Sequence, residues 1–133
     1  MKSILILLMI IPHFISQSTK IVFDIPALKS KTIIQIRALL GKPKIDDVPL
    51  NYKTNTGALG DAYFEKNGFT LEVTYNPTNN KVNDFFLGKD HAISDYKILE
   101  IAGNLVDTKD FLIDPVKFSK NQALYTGITI TQK

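Results

Sequence analysis

Apolar and polar residues alternate on both sides of one Asn-Gly pair, and this is the chain's clearest structural pattern. Ala62 and Phe64 alternate with polar neighbours before Asn67-Gly68; Phe69, Leu71, Val73 and Tyr75 do so after it. Asn-Gly is the favoured pair for a two-residue type I′ hairpin turn, because both positions take positive φ. The turn predicts the pairs Lys66–Phe69, Phe64–Leu71, Tyr63–Glu72 and Ala62–Val73. In that register Ala62, Phe64, Phe69, Leu71, Val73 and Tyr75 share one face, and Tyr63, Glu65, Thr70, Glu72 and Thr74 share the other. A slip of one residue would scramble both sets. A second turn at Pro77–Asn80 returns the chain as a third strand, Lys81–Leu87. With Asn76 opposite Lys81, Val82 meets Tyr75 and Phe86 meets Leu71. That register turns Asp84 toward the core, so it also predicts a β-bulge near Asp84.

Helical spacing appears twice. Ile33, Ile36 and Leu40 recur on one face of a helix over Lys31–Leu40, with Ile34 and Leu39 widening the stripe and Gln35 and Arg37 turned outward. Ser30 is placed to cap it; Gly41 and Pro43 stop it. A second helix, Asp95–Ala102, has Ser94 as its cap, Gly103 and Asn104 as its stop, and Ile98, Leu99, Ala102 and Leu105 as its apolar stripe. Around these, Lys20–Phe23 reads as a short strand with Pro26 at the following bend. Val48–Lys53 reads as an edge strand, because Pro49 cannot donate to a central ladder. Phe111–Ile113 is a strand interrupted by Pro115. Leu124–Thr131 alternates, with Leu124, Ile128 and Ile130 inward. The fold class is α+β, with two short helices packed on one face of an antiparallel β-sheet.

The first eighteen residues follow a different pattern. Lys2 precedes an unbroken apolar run, Ile4–Ile11, and Ser16 and Ser18 supply small residues for cleavage. This is the layout of a cleavable secretory signal over 1–18, too short to span a bilayer. It predicts a single α+β domain over 19–133, secreted or periplasmic, with no stable membrane anchor after cleavage. The chain has no cysteine. It therefore has no disulfide, which suits a bacterial envelope better than a small animal secreted domain. The formal net charge is +3, or +2 once Lys2 is removed (15 basic minus 13 acidic). The charges are dispersed, without the dense basic footprint of nucleic-acid binding.

A longer pattern combines these elements. Ser30, Thr32, Ile36, Leu39, Leu40, Gly41 and Pro43 are followed by Tyr63 and Phe64, the run Phe69–Tyr75, and Val82 across the turn. Over about residues 30–87 this resembles the helix–hairpin unit of small outer-membrane-assembly lipoproteins and of β-lactamase-inhibitor-protein-like (BLIP-like) modules. The resemblance implies action by protein–protein contact through the sheet face the helices leave open. Two features depart from it: the lipid-bearing cysteine of the assembly lipoproteins and the tryptophans frequent in the inhibitor-like modules are both missing.

Chemistry-bearing motifs are sparse. His91 is the one histidine beyond the signal. No nucleophile elbow accompanies it, and one histidine without cysteine cannot furnish the usual zinc set. No metal or cofactor is expected. Glu65 with Glu72, and Asp46 with Asp47, are the carboxylate pairs a small hydrolase would draw on, though a glycosidase pair needs fixed separation and unequal environments. Asp90 and His91 fall in a polar connection and read as surface residues. The predicted register instead aligns Tyr63, Glu72 and Phe85 in one row across three strands, away from the first core set. Aromatics there would serve as interface anchors, and the expected partner is another protein. A carboxylate hydrolase and an immunity- or inhibitor-type protein are the competing readings.

Overall fold

The computed structural model describes residues 20–120 and 123–133; the predicted signal over 1–18 lies outside them. Six strands form one antiparallel sheet: β1 (Ile45–Asp47), β2 (Gly60–Lys66), β3 (Phe69–Tyr75), β4 (Val82–Ile93), β5 (Phe111–Lys117) and β6 (Tyr125–Gln132). Their order across the sheet is β1-β2-β3-β4-β6-β5. Two short helices, α1 (Ile33–Leu40) and α2 (Lys97–Ala102), complete the α+β fold.

The Asn-Gly hairpin is present in the predicted register. Asn67 has φ 52° and Gly68 φ 78°, and Lys66 pairs with Phe69, Phe64 with Leu71, Tyr63 with Glu72, and Ala62 with Val73. All six residues assigned to the inner face are buried. They share one core cluster with Ile33 and Ile36 of α1, Leu99 and Ala102 of α2, and Ile128 and Ile130 of β6. Both helices thus contribute to the core on the same side of the sheet as these residues, and among the described residues no helix covers the opposite side.

The third strand keeps its predicted pairing at Asn76–Lys81 and Tyr75–Val82 and then carries the β-bulge expected near Asp84, which changes the register beyond it. Asn76 N–H donates to Lys81 O at 2.9 Å, and Tyr75 pairs with Val82 as expected. The next pair is Thr74 with Asp84, so Asn83 is the extra residue of a bulge. Every later pair moves by one: Val73 with Phe85, Glu72 with Phe86, Leu71 with Leu87. Since side chains alternate with period two, one inserted residue exchanges the faces of all that follow. Phe85 is therefore a core residue at 0% exposure, and Asp84 faces away from the core. The strand also runs on to Ile93, so Asp90 and His91 lie within β4 rather than in a connection.

Other boundaries shift for identifiable reasons. Thr32, not Ser30, caps α1. Its Oγ1 accepts from Gln35 N–H (3.3 Å) while Gln35 Oε1 accepts from Thr32 N–H (2.9 Å), a reciprocal capping box. Ser30 has φ 60° and donates its N–H to Gln132 Oε1 at 2.7 Å. Gly41, with φ 88°, ends the helix as expected. Ile34 and Leu39 do not extend the buried stripe; each is 58% exposed. Residues 20–23 form no strand. The N–H groups of Val22 and Phe23 donate to Ala102 O at 2.8 and 3.0 Å, satisfying a carbonyl that the end of α2 leaves free. Tyr96, not Ser94, occupies the cap position of α2, while Asp95 Oδ1 accepts from Lys97 N–H at 3.0 Å.

The predicted Val48–Lys53 strand is a series of turns, with Tyr52 N–H donating to Pro49 O and Asn55 N–H to Asn51 O. The edge strand lies just before it, at Ile45–Asp47. Pro115 does not interrupt β5, because β5 is itself an edge strand and a missing N–H is tolerated there.

Candidate binding face

Cross-strand pairing assembles the uncovered side of the sheet residue by residue. One row runs from Ile45 to Tyr63, Glu72, Phe86, Thr129 and Asp114 across all six strands. A parallel row holds Asp47, Asp61, Thr74 and Asp84. Tyr63 and Glu72 therefore stand side by side as predicted. Phe85 does not join them. Its place is taken by Phe86, which the predicted register had put against Leu71.

Glycine fixes the position of Phe86. A Cβ on Gly127 would lie 2.3 Å from Phe86 Cζ and one on Gly88 3.2 Å from Phe86 Cε1. The ring thus lies over a floor made by two facing glycines, Gly88 and Gly127, that no larger residue could form. It is partly exposed, as are Tyr63 and Glu72.

The charges on this face are one-sided. Burial pushes the Glu72 carboxyl above its usual range. The neighbouring Asp61 charge and hydrogen bonding toward Asp61 add to that effect, a hydrogen bond from Tyr63 opposes it, and the Asp84 charge raises it further. Burial likewise raises the Tyr63 phenol, followed by the charges of Glu72 and Asp61. Asp61 Oδ1 accepts the Thr74 hydroxyl at 2.8 Å.

The remaining candidates are dispersed. Asp46 and Asp47 point to opposite sides of β1. Asp46 turns toward α1, where it pairs with Arg37 and accepts the Tyr75 hydroxyl at 2.7 Å. Arg37, expected to face solvent, also donates to Tyr75 Oη at 3.1 Å. This three-residue clamp ties helix, edge strand and β3 together. Glu65 is engaged by Lys44 at 2.8 Å rather than paired with Glu72. His91 Nδ1 lies 2.6 Å from Asp90 Oδ1, with both side chains largely in water.

A concavity of about 520 Å³ beside α1 is lined by Arg37, Gly41, Lys42, Pro43, Lys44 and Asp46. Its cations are mostly engaged, Arg37 by Asp46 and Lys44 by Glu65. Among the described residues no group of His, Asp or Glu converges as a metal site, and no helix is long and apolar enough to cross a membrane.

These features define a class of surface: the open side of a six-stranded antiparallel sheet, carrying two aromatic rings among carboxylates. No protein-family model matches the chain, and no curated protein or solved structure matches it at a significant level.

Proposed function

We propose that this chain is a small exported binding or envelope-accessory protein that acts by protein–protein contact through its open sheet face. Tyr63, Glu72 and Phe86 form the centre of that contact. Export rests on the signal-like pattern over 1–18. The contact mode agrees with the resemblance of residues 30–87 to BLIP-like and outer-membrane-assembly modules, in which helices cover one side of a sheet and the other side meets a partner.

The observation that carries the reading is the placement of Phe86. An aromatic ring held on a glycine floor in the same cross-strand row as Tyr63, with Glu72 between them, supplies contact area at little cost in side-chain entropy, the character of an interface anchor. An inhibitor or immunity role would use the same face and differs only in what the contact does to the partner.

The test is affinity capture from an envelope extract with wild-type protein and with a Tyr63→Ala/Phe86→Ala variant, both checked for folding by circular dichroism. The face is the binding site when partners recovered by the wild type are lost with the variant. Recovery of the same partners by both baits rejects it.

A further inference from the structure

We infer that the open sheet face recognises a cationic protein segment, one presenting lysine or arginine side chains between apolar ones. This rests on the proposed function and adds the chemistry of the partner. The basis is an uneven distribution of charge. The whole chain is basic, with a formal charge of +3. Yet the ionisable residues with outward-facing side chains on β1 to β3 and on β4 as far as Gly88, opposite the core, are Asp47, Asp61, Glu65, Glu72 and Asp84, together with Tyr63. Of these carboxylates only Glu65 has a cation among the described residues, Lys44 at 2.8 Å. Among the described residues Asp47, Asp61, Glu72 and Asp84 have no ion-pair partner.

The arrangement is unfavourable for the isolated fold. Asp47 stands directly opposite Asp61 across β1 and β2, and like charges in facing positions destabilise a strand pair. Glu72 is partly withdrawn from water beside Asp61, which raises the cost of its charge. A cation placed over this row would relieve both terms. Tyr63 and Phe86 offer ring faces that an arginine or lysine can also contact, and exposed Ile45 extends the apolar strip at the edge. The same charge argues against other occupants. Nucleic acid and anionic lipid would be repelled, and a second copy docked through this face would set carboxylate against carboxylate. Complementary charge of this kind governs approach and selectivity.

The experiment is selection of short linear peptides from a phage-displayed library on the immobilised full chain. Enriched peptides are then titrated against wild type, a Glu72→Gln/Asp84→Asn variant and the Tyr63→Ala/Phe86→Ala variant. The inference expects net-positive peptides whose affinity falls at least about tenfold with the charge-neutralised variant, and again between about 50 and 500 mM salt. Affinity should also decline in acid as Glu72, which sits among Tyr63, Asp61 and Asp84, takes up a proton, since that removes part of the attraction. Neutral or acidic peptides that depend on Tyr63 and Phe86 would overturn the cationic partner while leaving the binding face standing. Peptides that bind all three proteins equally would overturn both. Absence of enrichment, or a dimer in size exclusion that the Tyr63→Ala/Phe86→Ala variant abolishes, would also overturn the cationic partner.

Discussion

Phe85→Ala and Phe86→Ala are neighbouring substitutions of the same chemistry, and the bulge at Asn83 makes them unequal. Phe85 is fully buried, packed in the core with Val73 as its cross-strand partner. Truncating a buried phenylalanine removes its transfer free energy and leaves a cavity, about 3–5 kcal/mol in total. Against a typical total stability of roughly 5–15 kcal/mol, that leaves a weakened fold. Phe86 keeps part of its ring in water and covers Gly127 and Gly88 on the open side. Full burial of such a side chain contributes about 1.5–3 kcal/mol, so partial burial without a sealed cavity places Phe86→Ala near 1 kcal/mol. The predicted gap is at least about 2 kcal/mol. Urea unfolding followed by far-ultraviolet circular dichroism measures it, since the chain has no tryptophan. The midpoints should separate at unchanged slope. In the register without the bulge, Phe86 would sit on Leu71 in the core and the order would reverse. An equal or greater loss for Phe86→Ala would therefore refute the face assignment.

Gly127→Ala places a Cβ 2.3 Å from the Phe86 ring and 2.6 Å from Leu87 O, which should cost about 1–3 kcal/mol. Combined with Phe86→Ala the penalty should shrink by more than about 0.5 kcal/mol in a double-mutant cycle, because the ring is gone and only the carbonyl contact remains. Thr32→Ala breaks the capping box of α1 and should lower stability by about 1 kcal/mol in the same urea assay, whereas Ser30→Ala should change it little. Burial and then the hydrogen bond to Asp46 hold the Tyr75 phenol up to about 12 against an ordinary 10.0. Above pH 10 the unfolded chain ionises first, so unfolding releases a proton and stability falls as pH rises through that window. Tyr75→Phe should flatten that fall in urea midpoints measured across the window.

The local elements legible in the sequence were those whose signal is short-ranged. The Asn67-Gly68 turn needs only two residues able to take positive φ, and the strands on either side inherit their register from it. Gly41 stopped α1 for the same local reason. Where the choice depended on a distant partner, pattern was insufficient. Val22 and Phe23 look strand-like, but the free carbonyl at the end of α2 claims their N–H groups. Ile34 and Leu39 fit the helical stripe, yet the sheet covers too narrow an arc of α1 to bury them. Ser30 and Thr32 are equally good caps by type, and only Gln35, three residues after Thr32, distinguishes them. Of the site, Tyr63 and Glu72 were legible because they belong to the hairpin. Phe86 was not, although the misfit of Asp84 in the unbulged register marked the bulge that brings it there.

That bulge explains why acidic and aromatic side chains can share a surface without weakening the core. In a sheet with one covered face, each residue's role is set by its parity along the strand. Asp46 and Asp47 are adjacent in sequence, yet Asp46 secures the edge strand to Arg37 and Tyr75 while Asp47 joins the outward row. The bulge at Asn83 makes the same division in β4: it turns Phe85 and Leu87 inward to the cluster that includes Ile33 and Leu99, and Asp84 and Phe86 outward. Stability then rests on the inward set. Substitutions among Asp47, Asp61, Glu72 and Asp84 act mainly on one another's charge, so neutralising them should leave the fold intact or strengthen it. A residue retained at some cost to the fold and cheap to neutralise differs from a packing residue in this: removing its charge should weaken binding without reducing the urea midpoint.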